Sequence, residues 1–401
     1  MRRRNLIGGI TAAALASPAF AGESTVLPEN LPSGTKQVLR FVNLPEKRRM
    51  LELSMRPPNY ETPVDAFAEA VTPNERFFVR YHLDGMPTSD DMEGWTLNIC
   101  GDAVARPMRL KMNDLLDMPS AEVLSVCQCA GNRRGLSQPH VLGLQWGEGA
   151  MGAALWRGPS LAQILQHCGL KPDALEIWTN GADRSTIPGV PAYQKSIPVD
   201  KALDTNTIVA IAMNGAPLPL LNGYPARLVV PGWAGTYWMK HITRIEASTK
   251  PLANFWMSDD YRVPNGLLPT AHPFPSQATK DTSPITELAV NSLIADPLEG
   301  HEVDRSGFNI RGIAWDSGAG INRVEVSLDG GHHWQDCLLD RPLGPYGYRQ
   351  FSLLTGLLPP GRYRIMSRAT SMSGETQRAA PMQNAGGYNN NIPRAITIVV
   401  T

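Results

Sequence analysis

Apolar residues in this chain fall in short runs rich in aromatic and β-branched side chains, cut off by Gly, Pro, Asn and Asp, the signature of strands joined by turns. Residues 77–82 form one such run, ended by the turn Asp84-Gly85-Met86-Pro87. Strand alternation would place Arg80 and His82 on one face. Residues 95–101 and 226–230 read the same way. Helical spacing is rarer. Leu161, Ile164, Leu165 and Cys168 recur at i, i+3, i+4 and i+7, predicting a helix over about 160–167 closed by Gly169, with Cys168 in the core. Asn113 is positioned to cap a short helix stopped before Pro119. Residues 267–297 hold five prolines between Pro269 and Pro297 and no sustained period, so the chain crosses there between domains. Beyond it, 306–315, 324–328 and 363–366 are short strands at sandwich-like spacing. The prediction is an α+β body followed by an immunoglobulin-like β-sandwich. Its parts are a leader over 1–21, an arm over 22–63, a body over 64–275, a linker over 276–286 and the sandwich over 287–401.

Composition sharpens this picture. The 401 residues, 42% hydrophobic, suffice for two or three domains, and 36 Gly with 34 Pro favour strands and turns over helices. Lys+Arg and Asp+Glu each total 37, so no overall field draws the chain to nucleic acid or an anionic membrane. The start carries Arg2-Arg3-Arg4, an apolar run over 6–15, and Ala19-Phe20-Ala21 as a small-x-small cleavage site, the layout of an export signal. The run is too short for a permanent membrane anchor. Arg3-Arg4-Asn5-Leu6-Ile7 looks like a twin-arginine signal, whose route carries folded proteins; an ordinary secretory signal is the alternative. Either implies the periplasm, with a mature chain starting near Gly22.

The densest chemistry lies in residues 126–135, Val-Cys-Gln-Cys-Ala-Gly-Asn-Arg-Arg-Gly. A thiolate suits a soft or high-valent metal, Gly131 permits a tight turn or close approach to a cofactor, and paired arginines offer forked donors to an oxyanion. A buried strand end with a core cysteine and two solvated arginines would account for the same ten residues. Strand alternation separates Cys127 from Cys129, so the two are not expected to bridge, and Cys127 is expected to pack. The remaining cysteines are Cys100, Cys168 and Cys337. No Cys-x-x-Cys-His occurs, so no c-type haem is expected in this chain, and no paired Cys-x-x-Cys runs suggest zinc. His332-His333 reads as an exposed turn.

Taken together, 78–82, Cys129-Ala130-Gly131-Asn132-Arg133-Arg134, Gly143-Leu144-Gln145-Trp146, 213–219 and 227–232 resemble the sulfite oxidase family of molybdenum enzymes, in the family's order. Residues 237–241 and 255–261 are most similar to bacterial periplasmic sulfite dehydrogenases within it. The resemblance implies a molybdenum bound to a pterin, with Cys129 as the protein's thiolate ligand. It also implies an α+β domain holding the pterin and an immunoglobulin-like domain that commonly dimerises, making a homodimer.

By position, Arg80, Arg134 and Tyr261 match the substrate pocket and Trp146 its aromatic wall. Arg349 resembles an arginine supplied by the C-terminal domain. Tyr81, His82, Asp183, Ser196, Arg227, Thr236 and Lys240 match pterin-contacting positions, and Asn222 stands where vertebrate members have a histidine. The activity implied is oxidation of sulfite to sulfate, with electrons passed to a separate periplasmic c-type cytochrome. The rivals are a sulfur dehydrogenase or sulfoxide reductase of the same fold and, outside enzymes, an exported immunoglobulin-like binding protein.

Overall fold

The structure, a computed structural model, describes residues 24–26, 38–266 and 277–401. The leader over 1–21 lies outside the described residues, as do residues 267–276 of the proline-rich crossing. Strands dominate, and the helices Met112–Asp117, Leu161–Cys168, Val199–Leu203 and Phe255–Ser258 are short. No helix among the described residues is long and apolar enough to cross a membrane.

The longest helix follows its sequence signals. Ser160 accepts the backbone N–H of Gln163 at 3.2 Å while Gln163 reaches back to Ser160 N, and Gly169 closes the other end in the left-handed region. Cys168 is fully buried on its apolar face. The other helix starts differently from expectation. Its first turn is capped by Asp114, whose carboxylate accepts Lys111 N–H at 2.6 Å, and Asn113 lies inside the helix.

Three sheets build the body. Val38–Leu44, Lys47–Ser54 and Asn59–Glu61, within the segment expected as an arm, pair antiparallel in succession and add Val79–Arg80 at the edge. Of the 77–82 run, only Val79 and Arg80 enter a ladder. A second sheet runs Gln194–Pro198, Glu176–Gly181, Ile242–Ser248, Thr96–Cys100, Met108–Lys111. The third centres on the nine-residue pairing of Ser120–Gln128 with Met151–Pro159. One apolar core joins the second and third sheets through Ile99, Val126, Trp156, Ile177 and Ile245.

The C-terminal region holds a four-stranded sheet (Asn291–Asp296, Asn309–Trp315, Arg349–Leu354, Leu338–Leu339) and a five-stranded sheet built on Ile321–Ser327, Gly361–Ser371 and Ala395–Val400. Ile310 and Phe351 from the first meet Val324, Ile365 and Ile398 from the second in a shared core. The region does not hang free. Leu293, Ile313, Trp315 and Tyr348 belong to the body's core cluster, and Trp315 Nε1–H donates to Gln128 Oε1 at 2.7 Å. The strand that ends at the chemistry-rich segment is thus held from the C-terminal side.

Candidate active site

A cavity opens where Ser120–Gln128 ends, and its lining includes Arg80, Tyr81, His82, Cys127, Cys129, Asp183, Tyr193, Asn222, Arg227, Thr236, Lys240 and Tyr261. The strand stops at Gln128, so pleat alternation does not extend to Cys129, and both thiols reach the cavity instead of opposite faces. They are not equivalent. Burial pushes the Cys127 thiol up to about 11, which keeps it protonated at neutral pH. All five cysteines are unbridged.

The cavity is electropositive. Arg80, Arg227 and Lys240 line it against one carboxyl, Asp183. Burial, then the charges of Arg80, Lys240, Lys195 and Arg134, hold the His82 imidazole well below its ordinary range, so it is neutral. Burial, then Arg227, pushes Lys240 down in the same way, while burial raises Asp183 against the pull of Lys240. Uncompensated buried cations are costly, and an anion in the cavity offsets that cost. One further atom points the same way, for Arg227 Nε is buried without a hydrogen-bond partner. A soft thiol donor at Cys129, cationic walls and this unpartnered donor together fit a phosphate-bearing metal–pterin group.

The floor is braced from the N-terminal sheet. Lys47, fully buried, donates from Nζ to Asn222 Oδ1 at 2.5 Å, Asn74 O at 2.5 Å and Phe77 O at 3.0 Å. Asn222 Nδ2–H in turn donates to Phe78 O at 3.1 Å. Its oxygen is thereby committed to Lys47, which fixes which way the amide faces. Tyr81 O–H and His241 Nε2 share a 2.7 Å bond, and Tyr193 bonds Thr236 Oγ1 at 2.5 Å while its ring stacks on His82 at 4.0 Å. Tyr261 bonds His82 through its hydroxyl.

Arg134 flanks this cavity without being one of its lining residues. Its Nε–H donates to Gly386 O at 2.7 Å and its Nη1–H to Leu144 O at 3.2 Å. Three glycines make room for it. A Cβ on Gly131 would come within 2.5 Å of Arg134 Nη2, one on Gly143 within 3.0 Å of Nη1, and one on Gly387 within 3.0 Å of Cγ. A side chain at Gly131 would therefore displace this guanidinium. Arg133 turns the other way, with φ +66, and is 1% exposed. It binds Glu148 at 2.8 Å, Asn291 Oδ1 at 2.5 Å and Ser292 O at 2.7 Å, and Arg394 closes on the other Glu148 oxygen.

Three expected residues lie elsewhere. Trp146 is fully buried and borders a second cavity, lined also by Glu61, Glu148, His301 and Arg394. Ser196 is buried on its strand outside the first cavity's lining. Arg349 pairs with Ala314 in the C-terminal sheet and is not among the cavity's lining residues, while its neighbour Gln350 donates to Ala68 O at 2.9 Å. The C-terminal region contacts the site through Gly386, on Arg134, and Tyr388, on the cavity-lining Tyr261. Tyr388 was not singled out in the sequence, and neither were Tyr193, Lys195, Asp260 or Lys47; the one available signal was the turn cluster Asn384-Ala385-Gly386-Gly387 on an irregular segment. His332 and His333 sit in a turn where His333 Nδ1 pairs with Asp329 at 2.6 Å, and no metal-holding cluster of His, Cys, Asp and Glu occurs among the described residues.

Residues 83–256 match the oxidoreductase molybdopterin binding domain, and 282–399 match the Mo-co oxidoreductase dimerisation domain. Chicken (Gallus gallus) sulfite oxidase is 33% identical over 80% of this chain and 70% of its own. Human mitochondrial sulfite oxidase is 33% identical over 87% of this chain, which spans 65% of the human protein's length. Among solved structures, the sulfane dehydrogenase SoxCD of Paracoccus pantotrophus superposes with a TM-score of 0.71 at 26% identity, covering 97% of this chain and 93% of that one. The chain belongs to the sulfite oxidase family of molybdenum enzymes. Its cofactor is the family's molybdenum–pterin group.

Proposed function

We propose that this chain oxidises sulfite to sulfate in the periplasm and passes the electrons to a separate c-type cytochrome, acting as a homodimer through an immunoglobulin-like C-terminal domain. The observation that carries the reading is the cationic cavity converging on the Cys129 thiol. Sulfite oxidase relatives support the substrate. The leader pattern supports the compartment, and the similarity to periplasmic sulfite dehydrogenases supports the acceptor.

When bound, the molybdenum–pterin group supplies the two-electron redox chemistry, with Cys129 holding the metal. Tyr81, His82, Asp183, Asn222, Arg227, Thr236 and Lys240 hold the pterin and its phosphate, with Ser196 behind them. The protein's remaining task is to bind and orient a small dianion. Arg80, whose Nη1 is steadied by the Tyr81 carbonyl and by Asn59, offers its other guanidinium edge to sulfite oxygens. Arg134 adds positive potential from the opposite side. Water is consumed and two protons are released per sulfite, so a proton relay is needed. Tyr261 and neutral His82, already bonded to each other, provide a donor and an acceptor for it.

The SoxCD superposition favours one second reading, a sulfane-sulfur substrate at the same cavity. A substrate panel decides between them. Purified holoprotein is offered sulfite, thiosulfate, a persulfide, a sulfoxide and nitrate, with cytochrome c or a dye as redox partner. Turnover with sulfite in large excess over the others is the expected result; turnover with the persulfide but not sulfite would replace this proposal with the second reading.

A further inference from the structure

One loop of the C-terminal region, 384–391, is folded on itself and packs against Arg134 and the cavity-lining Tyr261. Asn384 ties it by accepting Tyr388 N–H at 2.8 Å and donating to Tyr388 O at 2.9 Å, and Asn390 donates to Arg133 O at 3.0 Å. Within this rigid frame Tyr388 makes three contacts. Its ring stacks on Tyr261 at 5.4 Å and 13°. The Arg134 guanidinium carbon stands 5.5 Å from the centroid of the same ring, within cation–π range. Its O–H donates to Asp260 Oδ1 at 2.8 Å, the oxygen that also accepts Tyr261 N–H at 2.9 Å and Gln277 Nε2–H at 2.7 Å.

Tyr261 has φ +59, a backbone conformation that aromatic residues avoid. Such a conformation persists only where neighbours over-determine it. Asp260 on its N–H, Ile285 N–H on its carbonyl at 2.8 Å, and Tyr388 on its ring do so here. Tyr388 is 4% exposed and therefore has little freedom to leave.

We propose that Tyr388 is a positioning residue for the anion site: its ring sets Arg134 and Tyr261 relative to each other, so that the C-terminal domain determines how tightly the substrate anion is held. The proposal rests on the reading of the cavity as a sulfite site. The ring does the positioning, and the hydroxyl bond to Asp260 fixes its tilt. Removing the ring lets the Arg134 guanidinium swing on its Gly386 anchor and lets Tyr261 lose its stacking partner.

The test compares Tyr388→Leu and Tyr388→Phe holoproteins with wild type, all normalised to molybdenum content. It reads KM and kcat for sulfite together with the dissociation constant of sulfate measured calorimetrically without turnover. Tyr388→Leu is expected to raise both KM and the sulfate constant about tenfold, the scale of one lost cation–π and stacking contact. Its kcat should fall less than about threefold, and Tyr388→Phe should restore both constants to within about threefold of wild type. Unchanged constants in Tyr388→Leu, or equal defects in Leu and Phe, would overturn the proposal. A fall in molybdenum content or thermal stability with normal molybdenum-normalised constants would also overturn it, by reducing Tyr388 to packing. Wild type that binds sulfate but fails to turn over sulfite would count against the proposed reaction alone, and the sulfate constants of the two variants would still decide the role of Tyr388.

Discussion

The floor and the flank of the cavity are built by opposite means. The floor is assembled from the body alone, by Arg80, Asn222, Arg227 and Lys240, and is braced from beneath by the buried Lys47. Its groups are fixed by hydrogen bonds to backbone carbonyls and neighbouring amides. The flank is assembled across a domain boundary, where Arg134 rests on the Gly386 carbonyl and beside Tyr388. Preorganised polar bracing within one domain suits a large cofactor that stays, whereas a single guanidinium held across a domain boundary suits a small anion that must leave as product.

The sharpest break of the floor is at the metal. Cys129→Ser exchanges a soft thiolate for a hard hydroxyl, and sulfite turnover is expected to be abolished, measured as cytochrome reduction per chain. Cys127→Ala, beside it, is expected to keep its molybdenum, since the Cys127 thiol is held protonated. On the flank the expected change is graded. Arg134→Met should raise KM for sulfite and weaken sulfate inhibition by about 10- to 100-fold, the worth of one charge-assisted hydrogen bond, with kcat less affected. Steady-state kinetics with sulfate as inhibitor check it.

The neighbouring arginine gives the contrast. Glu148→Gln leaves Arg133 and Arg394 buried without a counter-charge and is expected to cost about 3–5 kcal/mol of stability in denaturant unfolding. The smallest effect concerns Lys47. Burial lowers its pKa to about 7 from an ordinary value of 10.5. The unfolded chain therefore binds more protons between those values, and the Lys47 contribution to stability rises with pH across that window, at up to about 1.4 kcal/mol per unit. Unfolding free energies at pH 7 and pH 9 should diverge between wild type and Lys47→Met, the gap widening at the higher pH.

What was legible in the sequence follows the same division. Residues 78–82 and 126–135 carry their candidate chemistry in consecutive positions, so Arg80, His82 and Cys129 could be singled out in the sequence, with their roles supplied by the family resemblance. The capped helix Leu161–Cys168 was legible because its signals are local. Tyr388 and Gly386 lie some 250 residues from Arg134 and in a loop without periodicity, so only folding brings them together. Arg349 was marked only by its resemblance to a family arginine, and it is not among the residues that line the cavity. Lys47 falls in the segment expected as an arm, and its burial depends on sheet pairing that no local signal encodes.

The central claim is that sulfite is oxidised at a metal held by Cys129. Its most direct test is sulfite-dependent reduction of a c-type cytochrome by purified wild-type and Cys129→Ser protein, with molybdenum per chain determined on the same samples. About one molybdenum per wild-type chain, with turnover that disappears in the variant, is the expected result. Substantial turnover by Cys129→Ser, or wild-type chains fully loaded with molybdenum that leave sulfite untouched, would contradict it.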